Sequence, residues 1–155
     1  MSLTGLEKAK VKTIAAQLND LLSCYMVFCQ NIRGFHWNIR GDKFFELHSK
    51  YEELYDNLLE KVDEIAERIL MLGEIPLHSY DDYRTVSKIK RVKNVSNAKK
   101  GVESVLQSFG TLLQKQREIL KYASGAEDEG TVALMSDYIR EQEKEIWMYS
   151  AYLNI

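Results

Sequence analysis

Two histidines and three carboxylates, His36, His48, Glu52, Asp63 and Glu67, stand close together in the first half of this chain. His48 and Glu52 are four residues apart, and so are Asp63 and Glu67, so on a helix each pair projects from one face. From Glu52 to Asp63 there are eleven steps of ~100°, which brings the side chain back to within about 20° of its starting direction. The four residues therefore form one stripe. Imidazole and carboxylate together suit a borderline divalent ion such as iron, manganese or zinc, whereas calcium and magnesium prefer all-oxygen shells. Taken singly, each residue is an ordinary member of a solvated helix face. Two in-phase pairs with a further histidine are the pattern expected of a set of metal ligands.

Axial distance decides how such a set can close. Eleven residues at ~1.5 Å rise put Glu52 and Asp63 roughly 16 Å apart, while a ligand atom sits only ~2 Å from its metal. One straight helix cannot bring both pairs to one ion. An antiparallel copy of the same helix from a second subunit can, because a two-fold axis sets His48 and Glu52 of one chain against Asp63 and Glu67 of the other, twice. His36 precedes the turn at Arg40-Gly41-Asp42 and His48 follows it, so a helical hairpin brings both imidazoles to one end. The composite site then holds two imidazoles and three carboxylates.

The elements that position these residues follow from apolar spacing. A first helix is expected from about Leu6 to Asn38, with Ile14, Leu18, Leu21, Leu22, Tyr25, Met26, Cys29 and Ile32 at threes and fours. Asp42 is the expected N-cap of a second helix, from about Lys43 to Leu72, that buries Phe44, Leu47, Tyr51, Leu54, Leu58, Val62, Ile65 and Ile69. Gly73 is its expected C-cap and Pro76 confirms the stop. A long connection to about Asn94, with room for one short helix, is the crossover that reverses a second helix pair. A third helix is predicted from about Ser96 to Ala123, broken by Ser124-Gly125, and a last one from about Asp128 to Leu153. The pattern predicts an all-α, four-helix bundle with a long crossover, as a single domain over residues 1–155.

Composition agrees with that class. At 155 residues and 45% apolar content the chain is long enough for a proper core. No run of about 18 uncharged apolar residues exists, and no basic-then-apolar leader opens the chain, so neither a membrane span nor a secretory signal is expected and the reading is cytoplasmic. Cys24 and Cys29 point ~140° apart on a helix and are expected as buried reduced thiols.

The segment His36-Trp37-Asn38-Ile39-Arg40-Gly41, followed by Phe44, His48, Glu52, Asp63 and Glu67-Arg68, resembles the signature of the Dps family, the ferritin-like miniferritins that oxidise and store iron and protect DNA during starvation. The late Glu143-Lys144-Glu145-Ile146-Trp147-Met148 stretch is similar to the family's last helix. The resemblance implies a hollow dodecamer. It also implies a ferroxidase site for iron, mono- or di-iron, at a subunit interface, with His36, His48 and Glu52 of one subunit and Asp63 and Glu67 of its two-fold mate as ligands. Trp37 would lie beside it. Hydrogen peroxide is the implied oxidant, with dioxygen the slower option, and ferric ion would mineralise inside, with Glu53, Asp56 and Glu60 as nucleation candidates. Glu52 stands where the family often has Asp.

Charge elsewhere is uneven. Lys88, Lys90, Arg91, Lys93, Lys99 and Lys100 carry six positive charges with no acid between 88 and 100, which leaves 15 basic against 23 acidic residues, net −8, in the remainder. An acidic protein with one basic patch suits a shell whose interior attracts cations. DNA binding through a Lys-rich tail is not favoured, since the first lysine is Lys8 and the end reads Leu153-Asn154-Ile155. Near Gly125–Gly130, Glu127, Asp128 and Glu129, with Asp137, are the candidates for a cation-attracting pore implied by the resemblance, because Ala133 stands where many relatives have Asp. His78 is expected at the surface. A di-iron bundle within one subunit would need Glu-x-x-His on two helices; the residues three before the histidines are Arg33, Phe45 and Ile75. A DNA-compacting protein and a metal-free helical interaction module are the alternatives.

Overall fold

The computed structural model describes residues 3–155. Five helices follow one another: α1 (Lys8–Asn38), α2 (Phe44–Met71), α3 (Tyr80–Val86), α4 (Ala98–Gly125) and α5 (Glu129–Leu153). The four long ones form the bundle. α1 packs on α2 and on α4, α4 packs on α5, and α3 lies against α1. Among the described residues there is no strand, and no helix is long and apolar enough to cross a membrane.

Two asparagines on α1 set the topology. Asn19 holds the start of the crossover, donating to the Ile75 carbonyl at 3.1 Å and accepting from Leu77 N at 2.8 Å. Asn31, twelve residues on and so roughly 18 Å further along α1, donates to the Lys90 carbonyl and accepts from Val92 N, both at 2.9 Å. The Arg40 amide then donates to the Ser96 carbonyl. The crossover thus climbs the length of α1, and α4 starts beside the far end of α1. That makes α2 and α4 run the same way, which a short loop could not do.

The helix ends show where local chemistry acts. Asp42 is not the cap of α2: the helix begins one residue later, after Lys43, with no side-chain cap. Gly41 at φ 106° makes a turn whose carbonyl already accepts the Phe44 amide at 3.1 Å, so the exposed Asp42 carboxylate has no role there. Gly73, at φ 81°, closes α2 as expected, with its own amide on Leu70 and that of Glu74 on Ile69. α4 runs two residues past its expected end at Ala123, through Ser124 and Gly125, where a break was expected. Its left-handed residue is Glu127, at φ 60°, and the Asp128 amide returns to the Ala123 carbonyl. Ser79, Asn97 and Asp128 cap α3, α4 and α5 by accepting the amide three residues on.

The core holds the apolar rows read from the sequence. Ile14, Leu18, Leu21, Ile32, Leu58, Ile65, Ile69, Val102, Val105 and Leu112 are fully buried. Both cysteines are free and buried. One polar ring crosses the core: Tyr25 donates to Gln116 Oε1 at 2.6 Å, Gln142 Nε2 donates to the Tyr25 hydroxyl at 2.5 Å, and Gln116 Nε2 donates to Gln142 Oε1 at 2.9 Å. Three buried polar side chains from α1, α4 and α5 thereby satisfy one another.

Candidate metal centre

The end of α1 and the start of α2 bring His36 and His48 face to face. Their rings stack with centroids 3.8 Å apart and planes 14° from parallel. The His36 Nδ1 lies 2.6 Å from the His48 carbonyl oxygen, and the His48 Nδ1 lies 2.8 Å from the His36 carbonyl oxygen. A carbonyl only accepts, so both Nδ1 atoms must carry the proton. In the tautomer that carries its hydrogen on Nδ1, Nε2 is left bare. Reciprocal bonding fixes both rings and leaves both Nε2 lone pairs for a ligand, which is how a second partner orients a metal-binding imidazole.

Aromatic rings wall the pair. Phe44 stacks on His48 at 5.0 Å, and Tyr55 meets His36 edge-on at 5.4 Å. The Arg33 guanidinium lies 5.4 Å from the Trp37 ring centre and 5.9 Å from that of Tyr55, so the 59%-exposed Trp37 is tied to the site's wall. His36 itself is only 7% exposed. Partial burial, and after it the carboxylate charge of Glu52, push the Tyr55 phenol up from its ordinary value, which places Glu52 beside the ring that touches His36.

Three of the five sequence-predicted residues thus share one end of the α1–α2 hairpin. Asp63 and Glu67 do not join them. They lie exposed further along α2, and among the described residues no three His, Cys, Asp or Glu side chains converge on a point within the chain. None of Glu52, Asp63 and Glu67 has an ion-pair partner among the described residues. The five residues thus fall into two groups, His36, His48 and Glu52 at the α1–α2 turn and Asp63 and Glu67 further along α2.

Other candidates separate in the same way. Asp128 is not a pore carboxylate: it is 2% exposed, caps Thr131 and pairs with Arg68. Asp137 pairs with Arg140 at 2.9 Å, while Glu127 and Glu129 are exposed. His78 is exposed, as are all six cations between 88 and 100, of which Lys99 reaches Glu103 at 3.9 Å. Sequence reasoning missed Arg33 and Tyr55 as the site's wall and Arg68 as Asp128's partner. The Asp-x-x-Thr cap spacing was the one available signal for Asp128.

A bundle with this crossover and a histidine pair flanked by carboxylates is that of a ferritin-like protein, and the ferritin-like domain family matches residues 15–155. The DNA protection during starvation protein of Porphyromonas gingivalis is 41% identical over 152 residues, covering 98% of this chain and 96% of that protein. The crystal structure of the DPS protein from Vibrio cholerae O1, described as a member of a broad superfamily of ferritin-like diiron-carboxylate proteins, superposes with a TM-score of 0.98 at 47% identity over 99% of this chain and 96% of that one. A Dps protein from Bacillus brevis superposes at 0.92 with 30% identity, covering 96% and 99%. The chain belongs to the Dps family.

Proposed function

We propose that this protein oxidises ferrous iron at a site shared between two copies of the chain and stores the ferric product inside a hollow dodecamer in the cytoplasm, with residues 1–155 acting as one ferritin-like domain. The observation that carries the proposal is the reciprocal Nδ1 bonding of His36 and His48, which leaves the two Nε2 atoms of a stacked pair for a ligand, on a hairpin whose Glu52, Asp63 and Glu67 have no ion-pair partner among the described residues. The Nε2 atoms of His36 and His48 and the carboxylate of Glu52 bind the ferrous ion from one side; Asp63 and Glu67 of a second copy bind from the other. Anionic oxygen donors favour the ferric product over the ferrous reactant, so this donor set lowers the cost of oxidation. With hydrogen peroxide, two ferrous ions give one electron each, the O–O bond breaks, and two protons complete two waters; dioxygen is the slower oxidant. Consuming peroxide without releasing hydroxyl radical is what protects cell and DNA. Exposed Glu53, Asp56 and Glu60 are candidates to nucleate mineral, and Glu127 and Glu129 to draw cations inward.

The test is complementation. His36→Ala/His48→Ala and Asp63→Asn/Glu67→Gln each lack one half of every site. Mixed by reversible disassembly in equal amounts, random pairing gives half mixed dimers with one intact site of two, so about a quarter of wild-type oxidation returns. If the mixture stays as inactive as its parents, the shared site is wrong.

A second reading concerns DNA. The six exposed cations between 88 and 100 are opposed by one glutamate at 3.9 Å and form a surface for a polyanion. A gel shift that weakens with salt and disappears on replacing Lys88, Lys90, Arg91 and Lys93 by Gln supports it; binding unchanged by those replacements removes it.

A further inference from the structure

His36 and His48 reach the site with their rings already fixed, each by a bond made at Nδ1, away from the atom left for a ligand. Glu52 is placed differently. Its side chain is exposed, and among the described residues no cation pairs with it. A glutamate has one more rotatable bond than an aspartate, so an untethered Glu52 loses more rotamer freedom on taking up an ion. A neighbour that holds its carboxylate beforehand removes that loss.

Tyr55 is in position to be that neighbour. It follows Glu52 by three residues on α2, one turn along the same face. The ring is itself held: it meets His36 at 81° with centroids 5.4 Å apart, and the Arg33 guanidinium lies 5.9 Å from its centre. The Tyr55 carbonyl also accepts the Cys29 thiol at 3.7 Å, which ties this turn of α2 to α1. Burial first, then the charges of Glu52 and Asp56, raise the phenol from its ordinary value; Arg33 acts in the opposite sense, and a hydrogen bond to Glu52 adds to the rise. A phenol kept protonated is a donor. A carboxylate has two oxygens, so Glu52 accepts from Tyr55 on one and keeps the other.

We infer that Tyr55 is a positioning residue for the metal site: its hydroxyl holds one oxygen of Glu52 so that the other is free for the ion that His36 and His48 bind, while its ring braces His36. The inference rests on the iron-site reading above and concerns the group of ligands at the α1–α2 turn. It depends on the length of Glu52. With one methylene fewer, a carboxylate at this position draws back from the Tyr55 hydroxyl, and the tether is lost.

The test is a double-mutant cycle read with cobalt(II), which stands in for ferrous ion and whose visible bands report the geometry of its ligands. Tyr55→Phe, Glu52→Asp and the double variant are made in the full-length chain and titrated with cobalt; bands absent from His36→Ala/His48→Ala are those of the site. Partners that orient metal ligands are worth about 10–100-fold in affinity, so Tyr55→Phe is expected to weaken cobalt binding about 10-fold and to shift the bands. The melting temperature of the metal-free protein should hold, because the ring and its contacts with His36 and Arg33 remain. With Glu52→Asp already in place, the same change is expected to cost less than about 2-fold, the signature of two residues acting through one bond. A second loss of about 10-fold in the double variant overturns the inference, since independent residues add. Tyr55→Phe that matches the wild type in affinity and spectrum overturns it as well, even if its melting temperature falls. Should the half-site variants fail to complement while Tyr55→Phe still weakens cobalt binding, the shared site falls and the role of Tyr55 stands; complementation with an unaffected Tyr55→Phe does the reverse.

Discussion

Carboxylates matched within their own chain and carboxylates on the α2 stripe are the same chemical group in opposite circumstances. Asp128 is buried under Arg68 and Thr131, Glu64 accepts the Tyr138 hydroxyl at 2.5 Å, and Glu141 takes the buried Lys61 ammonium at 2.8 Å. Among the described residues Glu52, Asp63 and Glu67 have no such cation. A carboxylate matched inside its own chain is a fastener whose removal loosens the fold. One left unmatched beside two oriented imidazoles is available to something from outside, and its removal should leave the fold untouched.

The sharpest way to break this comparison starts with the fastener. Asp128→Ala strands the Arg68 guanidinium under Gly130, where even a methyl group would come within 2.9 Å of it. Breaking a buried pair costs about 3–5 kcal/mol, so the melting temperature should fall by on the order of 10 °C. A fall under about 3 °C would place Asp128 among the solvated acids after all.

Asp63→Asn/Glu67→Gln attacks the other side. Ferrous oxidation followed by ferric absorbance should drop on the order of 100-fold, while the melting temperature of the iron-free protein holds or rises, because two unmatched charges are removed. A lowered melting temperature would show that these residues are fasteners too. Alkaline pH then tests the matched interior as a whole. Burial pushes the phenols of Tyr25, Tyr51, Tyr138 and Tyr149 well above their ordinary 10.0, and the Cys29 thiol from 9.0 to about 11. With folded values above unfolded ones, the unfolded chain loses protons first as pH rises. Stability is therefore intact below pH 9 and is lost progressively from there through 11 and beyond. A melting temperature flat to pH 11 would mean that these groups are wetter than their packing indicates.

How much of this was legible in the sequence divides along the same line. Helix rows such as Ile14-Leu18-Leu21 and Leu58-Ile65-Ile69 were readable because burial repeats with the helix turn and needs no knowledge of the neighbour. His36, His48 and Glu52 were readable as one group because a tight turn between helices forces their ends together. The mutual Nδ1 bonds were not, since they depend on a stacking distance that no spacing specifies. Asp128 was misread as a free acid because its partner Arg68 lies sixty residues away. Asp42 looked like a cap until the turn at Gly41 took the amide it would have served. On α5, Trp147 is 66% exposed, while Tyr149 two residues on is buried. A one-residue pattern cannot say which side of a broad apolar arc meets the core.

The smallest effect comes from carboxylates matched at the surface, which calibrate the scale. Asp137 and Arg140 pair at 2.9 Å with side chains 64% and 80% exposed. Geometry alone would rank this pair beside Lys61–Glu141. Exposure says otherwise: water screens both charges and holding two long side chains in place costs entropy, so Asp137→Ala should change stability by less than about 0.5 kcal/mol. Its thermal melt should overlay the wild type. A clear loss would mean that this pair sits in a drier setting than one chain provides, which points to a neighbour covering α5 in the assembly.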